Sequence, residues 1–169
     1  KIHTYAEVAM KEVKTHAFIL EEAKKLGLPY EEVPTYSVIV KLDTGRPGKT
    51  ILLRADIDAL QVVENENNLA GPRTCRSEQP GTCHACGHDA HTAMLLGAMN
   101  VLTRLKDQFS GTVVFAFEEG EECGSGKEAL LAALDKYNVE RVWAIHVYAG
   151  LEEGKISVDA GPRMAGAAV

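Results

Sequence analysis

From Thr112 to Phe117 the sequence Thr-Val-Val-Phe-Ala-Phe is an unbroken apolar run. Alternate side chains of a strand point to opposite faces, so a strand that is apolar on both faces must lie between two covering layers. Its neighbours alternate in kind. Thr4 and Glu7 have capping-box spacing, and Val8, Val13, Ala17, Leu20 and Ala23 follow at helical intervals, until Gly27 and Pro29 end the helix. Ser37 to Leu42 and Thr50 to Ala55 read as strands joined by a turn through Asp43, Gly45, Pro47 and Gly48. A second helix is expected from about Asp89 to Lys106, with Met94, Ala98, Val101, Leu102 and Leu105 on one face. Ser125 and Glu128 form another capping box before a short helix through Leu134. Arg141 to Val147 reads as a further buried strand and Lys155 to Val158 as a short one. The order predicts an α/β fold, a three-layer domain with a mostly parallel central sheet. Residues 61–82 are polar and rich in Asn, Pro and Gly, which predicts a long loop; such loops are usually functional or disordered.

Composition narrows the function. Hydrophobic residues at 46% and charged residues at 25% exclude a disordered or fibrous chain. No apolar run approaches the ~18 residues of a spanning helix, so no membrane partner is expected. The net charge of −6 and pI near 5.5 show no basic stripe, so none is expected with nucleic acid either. Four cysteines are too sparse for a disulfide scaffold in 169 residues. No secretory signal opens the chain, although Lys1 in place of Met reads as a cut or processed start; a cytoplasmic location is the expectation.

In open α/β sheets, function gathers beyond the carboxyl ends of the strands. Four such places hold the unusual residues. The densest is Cys83-His84-Ala85-Cys86-Gly87-His88-Asp89-Ala90-His91, where thiolates and imidazoles suit a borderline-soft metal. A solvent-facing loop with Asp89 as a helix N-cap would explain the aspartate but not the cysteines and histidines. A c-type haem site needs a His after Cys86, where Gly87 stands; a nucleobase deaminase needs an upstream His-x-Glu; a structural zinc site needs a second ligand pair nearby. A thioredoxin-like redox pair of Cys83 and Cys86 at a helix start remains the alternative. The second place, Glu118-Glu119-Gly120-Glu121-Glu122, is self-repulsive and suggests a compensating cation, without showing which glutamates matter. In the third, Asp56 and Asp58 follow a strand two residues apart and face the same way. The fourth is His146 at a strand end. Asp43-Thr44-Gly45 is better explained as a hairpin turn than as an aspartic-protease triplet, and Gly124-Ser125-Gly126 lacks the residues of a phosphate loop.

These motifs resemble the metallo-amidohydrolases that include hippurate hydrolase, aminoacylase-like enzymes, aminobenzoyl-glutamate hydrolase and plant indoleacetyl-amino-acid hydrolases. The resemblance rests on Arg54-Ala55-Asp56-Ile57-Asp58-Ala59-Leu60 and on the stretch from His84 to Gly97, of which His-Ala-Cys-Gly-His-Asp-x-His is the most specific part. It continues through Gly111 to Phe115, the glutamate loop, His146, and Gly161-Pro162-Arg163-Met164-Ala165. It implies a zinc-exopeptidase-like fold and two divalent ions, Zn2+ first, with Mn2+, Co2+ or Ni2+ possible. Carried over by motif, the metal ligands are Cys86, His88, Glu122 and His146. Glu121 becomes the general acid/base and Asp58 the aspartate that orients the site. The family usually reads Phe-x-Phe-Gln-Pro-Ala-Glu-Glu, whereas Glu118, Glu119 and Gly120 replace Gln, Pro and Ala here, and Gln61 stands where proline is common. The implied reaction is cleavage of an N-acyl amino acid by an activated water. The resemblance also implies that the chain, 1–169, is the N-terminal part of a catalytic domain. A lid and dimerisation domain, making the parent a homo-oligomer, and a returning segment with a last His ligand would follow; without them the fragment is expected to be a poor enzyme.

Overall fold

The computed structural model describes residues 1–158 and 160–161. Helices α1 (Ile2–Tyr5) and α2 (Val13–Lys25) precede strands β1 (Tyr30–Val33), β2 (Ser37–Asp43) and β3 (Thr50–Asp56). Then come the two-residue strands β4 (Asn67–Asn68) and β5 (Gly71–Pro72), helix α3 (His88–Arg104), strand β6 (Thr112–Glu118), helix α4 (Lys127–Leu134) and strand β7 (Arg141–Ala144).

The apolar run becomes β6, the middle strand of a five-stranded sheet ordered β1-β2-β6-β3-β7. Both of its faces are covered, and Val113 through Phe117 are all buried. Val113, Phe115 and Phe117 join Val38, Val40 and Leu42 of β2 and Ala55 of β3 under α2 and α3, where Ile19, Leu20, Leu95 and Met99 complete the larger core. Val114 and Ala116 face the other way with Ile39 and Leu52, against Leu130 and Leu134 of α4. The strict alternation of the two sets makes three layers, helix on sheet on helix. β3, β6 and β7 run parallel, while β1 and β2 are antiparallel additions at one side. β3 and β6 pair in step from Thr50 with Thr112 to Asp56 with Glu118, so both strands end level. The segments that leave them therefore start side by side.

Several local expectations are corrected. The Thr4–Glu7 capping box does not start a long helix. Thr4 Oγ1 donates back to the Lys1 carbonyl, and the Glu7 carboxylate instead accepts the N–H groups of Lys14 and Thr15 at 2.9 Å, capping α2 from outside. Gly126, not Ser125, precedes α4, and no side chain caps it. Asp89 sits inside the first turn of α3 behind Gly87 and accepts a hydrogen bond from His3 Nδ1 at 2.7 Å. The strand expected to Val147 stops at Ala144 and is exposed throughout, because it pairs on one side only, with β3. Residues 155–158 form no strand, and β1 was not anticipated. Most of the Gly161–Ala165 motif lies outside the described residues. The loop 61–82 is irregular apart from β4 and β5, and its base is closed by reciprocal hydrogen bonds between Leu60 and Cys83 at 3.1 Å. Among the described residues no helix is long and apolar enough to cross a membrane.

Candidate metal centre

Three segments meet beyond the level ends of β3 and β6. The first leaves β3 through Asp56 and Asp58, both almost wholly buried. The second is the turn Cys86-Gly87 and the first turn of α3. Gly87 has φ +89°, and a side chain there would collide with that of Val147. This position needs glycine both for its backbone and for the approach of the strand end. The third is the short 3₁₀ turn Glu121–Cys123 that follows β6.

The two aspartates each receive one histidine. His88 Nδ1 lies 3.0 Å from Asp58 Oδ1, and His91 Nδ1 lies 2.6 Å from Asp56 Oδ1. A carboxylate partner places the proton on Nδ1 in both rings and leaves Nε2 as the acceptor. For His91 that acceptor is filled by the Val147 N–H at 2.9 Å, which fixes the segment next to His146. Asp56 is held further by Arg54 at 2.8 Å, and Arg54 reaches Glu118 at 2.7 Å. Burial would raise the Asp56 pKa, but the His91 hydrogen bond and the charges of His88, Arg54 and His91 bring it below the usual range. Burial likewise opposes protonation of His88 and is outweighed by Asp58, Asp56 and Glu122, so its pKa is raised.

His88 Nε2 is different. It is buried and has no hydrogen-bond partner among the described residues. Asp56 Oδ2 and Glu122 Oε1 stand 3.7 Å from it and Glu121 Oε2 3.8 Å, too far for hydrogen bonds. Around this atom three groups of possible ligands each fall within 4.8 Å: Cys86 with His88 and His146, His88 with Glu121 and Glu122, and Asp56 with His88 and His91. The nitrogens of His91 are already engaged, which leaves the first two groups with free donors. Cys86 Sγ is 3.5 Å from His146 Nε2. Burial, then Glu122 and Glu121, push the Cys86 thiol up to about 12, and burial foremost raises Glu121. A lone pair, a thiol and several carboxylates converge here, which is the electrostatic pattern a divalent ion relieves. Sulfur, imidazole and carboxylate donors fit that ion.

All six expected residues are thus gathered around His88, with Asp58 serving two of them: its Oδ2 also accepts the Glu122 N–H at 3.0 Å. The structure separates the four glutamates that composition left equivalent. Glu118 pairs with Arg54, while Glu119 turns inward and accepts the N–H groups of Thr35 and Tyr36 at 2.6 and 2.7 Å. Only Glu121 and Glu122 face His88. The bridging role of His91 had no separate sequence signal. Arg54 and Glu119 lie inside the quoted motifs without a role of their own, and the wholly buried Glu12 had no signal, because its partner Gly120 is far away in sequence.

The model of peptidase family M20/M25/M40 matches residues 52–162, which include this whole constellation. The chain belongs to that family. Among M20 relatives, thermostable carboxypeptidase 1 of Saccharolobus solfataricus is 39% identical over 98% of this chain and 42% of its own length. An N-acyl-L-amino acid amidohydrolase of Geobacillus stearothermophilus is 37% identical over 97% of the chain and 44% of its own. The YXEP protein of Bacillus subtilis, a dinuclear metal binding peptidase from the M20 family, superposes with a TM-score of 0.85 at 32% identity over 95% of this chain and 44% of that one. The chain therefore spans less than half the length of these M20 relatives.

Proposed function

We propose that the protein carrying this chain is a dinuclear metal amidohydrolase that cleaves N-acyl amino acids. The observation that carries the reading is the unpartnered, buried His88 Nε2 facing Cys86, His146 and the two glutamates. Cys86, His88, Glu122 and His146 would hold the ions. A thiolate ligand favours Zn2+, and Mn2+, Co2+ or Ni2+ suit the remaining donors. Bound there, such ions would polarise the scissile carbonyl and make a water acidic enough to attack near neutral pH. Glu121 takes the proton of that water and returns it to the leaving amine, the double duty of a general base. Asp58 fixes the His88 ring and the Glu122 backbone together. The names of the amidohydrolase and carboxypeptidase relatives support an amide substrate ending in an amino acid. The description of the similar YXEP protein as a dinuclear metal binding peptidase supports the metal.

The redox alternative finds less support. All four cysteines are free, and burial raises both Cys83 and Cys86, whereas a reactive pair needs a lowered thiol pKa. Residues 1–169 are read as the N-terminal part of the catalytic domain. A lid and dimerisation domain and one more His ligand would come from the rest of a longer homo-oligomeric protein, a reading supported by the fraction of its relatives that the chain covers. Free thiols agree with a cytoplasmic setting.

Metal content by plasma mass spectrometry, on the longest natural form of the protein beside Cys86→Ala and Glu122→Ala, tests the centre. The expected result is bound metal in the wild type and loss in both variants. Glu121→Gln should keep its metal and lose about 10²–10⁴-fold in turnover of an N-acetyl amino acid. A metal-free wild type with a reversible Cys83–Cys86 disulfide would overturn the proposal.

A further inference from the structure

Glu12 is a carboxylate with no exposed surface, and no cation pairs with it among the described residues. It sits at the residue before α2, far in sequence from the metal centre. One oxygen, Oε1, accepts the N–H of Gly120 at 2.8 Å. The other, Oε2, has no hydrogen-bond partner among the described residues. Gly120 opens the turn that presents Glu121 and Glu122, and it has φ +61°. The same N-terminal segment closes on this glycine a second time, since a Cβ there would meet Met10 Sδ at 2.8 Å. It also reaches the other side of the centre, where the Ala59 N–H donates to the Glu7 carbonyl at 2.8 Å, directly after Asp58.

The neighbouring amides of the turn are held in similar ways. Glu119 N–H donates to Ser37 Oγ at 3.0 Å and Glu122 N–H to Asp58 Oδ2 at 3.0 Å. Each of these anchors also has an evident packing or orienting duty elsewhere. For Glu12 the side-chain bond that reaches another element is the one to Gly120, and burying a carboxyl group with one oxygen left unpaired is costly unless that bond matters.

We propose that Glu12 is a positioning residue that sets the Glu121–Glu122 turn through its acceptor oxygen on Gly120. The reading rests on the proposed hydrolase function for its kinetic consequence, though not for its structural one. What the turn requires is an acceptor at the full reach of a glutamate side chain. Glutamine keeps that oxygen and loses the charge. Aspartate keeps the charge and falls one methylene short. Burial of the group, which pushes its carboxyl up to about 7, agrees with a role that does not need the negative charge.

The pair Glu12→Gln and Glu12→Asp tests this on the longest natural form of the protein, with circular dichroism confirming that both fold. Hydrogen exchange of the segment 118–123 is followed in the metal-free protein, and kcat and KM for an N-acetyl amino acid in the metal-loaded one. In Glu12→Asp the segment should exchange roughly 10-fold faster and kcat should fall by a similar factor, with KM within about 2-fold, as expected for one buried N–H left unpaired. Glu12→Gln should stay within about 3-fold of wild type in both readouts. A Glu12→Asp protein that matches wild type, or a Glu12→Gln protein that falls as far as Glu12→Asp, would overturn the positioning role even if the wild type is a good hydrolase. If the wild type turns over no N-acyl amino acid while exchange still follows the Asp/Gln split, the hydrolase reading fails and the hold on the turn stands.

Discussion

What His88 offers its surroundings depends on what happens on its other nitrogen. Asp58 accepts the hydrogen bond of Nδ1–H, so the lone pair of Nε2 points toward the surrounding carboxylates. His91, one turn later, begins in the same way with Asp56 and ends differently, because the Val147 amide reaches its Nε2 first. Two histidines with the same kind of aspartate partner thus do different work, one open to an ion and one closed by backbone. Glu12 supplies a pH signature at this scale. Its folded carboxyl titrates near 7 against an ordinary 4.5, so between those values the folded protein keeps a proton that the unfolded chain has released. Stability from this group therefore falls as pH rises through the window, by up to about 3 kcal/mol. Glu12→Gln abolishes the ionisation. In urea unfolding of the metal-free protein, the variant should gain on wild type between about pH 5 and about pH 8.

Among the elements, α2 shows how a helix end can be completed by chain that precedes it. Glu7 accepts two of the free amides at its start and the Thr15 hydroxyl as well. Glu7→Ala should destabilise the fold by about 1–2 kcal/mol, read as a lower urea midpoint with unchanged slope. The Thr4–Glu7 spacing was visible in the sequence, but which helix the glutamate caps depends on a chain reversal that spacing does not encode. β6 was legible because burial on both faces leaves no polar position between its end residues Thr112 and Glu118. β1, Tyr30-Glu31-Glu32-Val33, was not, since an edge strand can keep its charges in water. β7 misled for the converse reason: Val142, Trp143 and Ile145 look like core and lie more than half exposed. In the candidate metal centre, Cys86, His88, Asp58, Glu121, Glu122 and His146 could be named because a family resemblance falls on residues at strand ends. The duties of Glu119 and Glu12, and of Arg54 toward Glu118, could not, since each acts on a partner brought near only by the fold.

For the molecule as a whole, one sheet supports two cores, and β6 contributes alternate residues to each. Phe115 is among the largest side chains with no exposure, at the middle of that strand. Phe115→Ala should cost about 3–5 kcal/mol, a large share of what holds a domain of this size, and should lower the urea midpoint accordingly. The in-step pairing of β3 and β6 adds a functional consequence to that loss. A sheet that slips by one residue turns Asp56 and Glu118 to the opposite face, so core and metal centre stand or fall together.

The clasp between Leu60 and Cys83 gives the intervening residues a different kind of freedom. Both ends of that excursion are anchored on one rung, close in sequence to Asp58 and Cys86, and Glu64 ties the loop to His3, which in turn holds Asp89. Closing a flexible loop of twice the length costs only about 0.6 kcal/mol more. A tag spliced beside the exposed Leu69 should therefore lengthen the tip while the rung and the His3 tie beneath it stay in place.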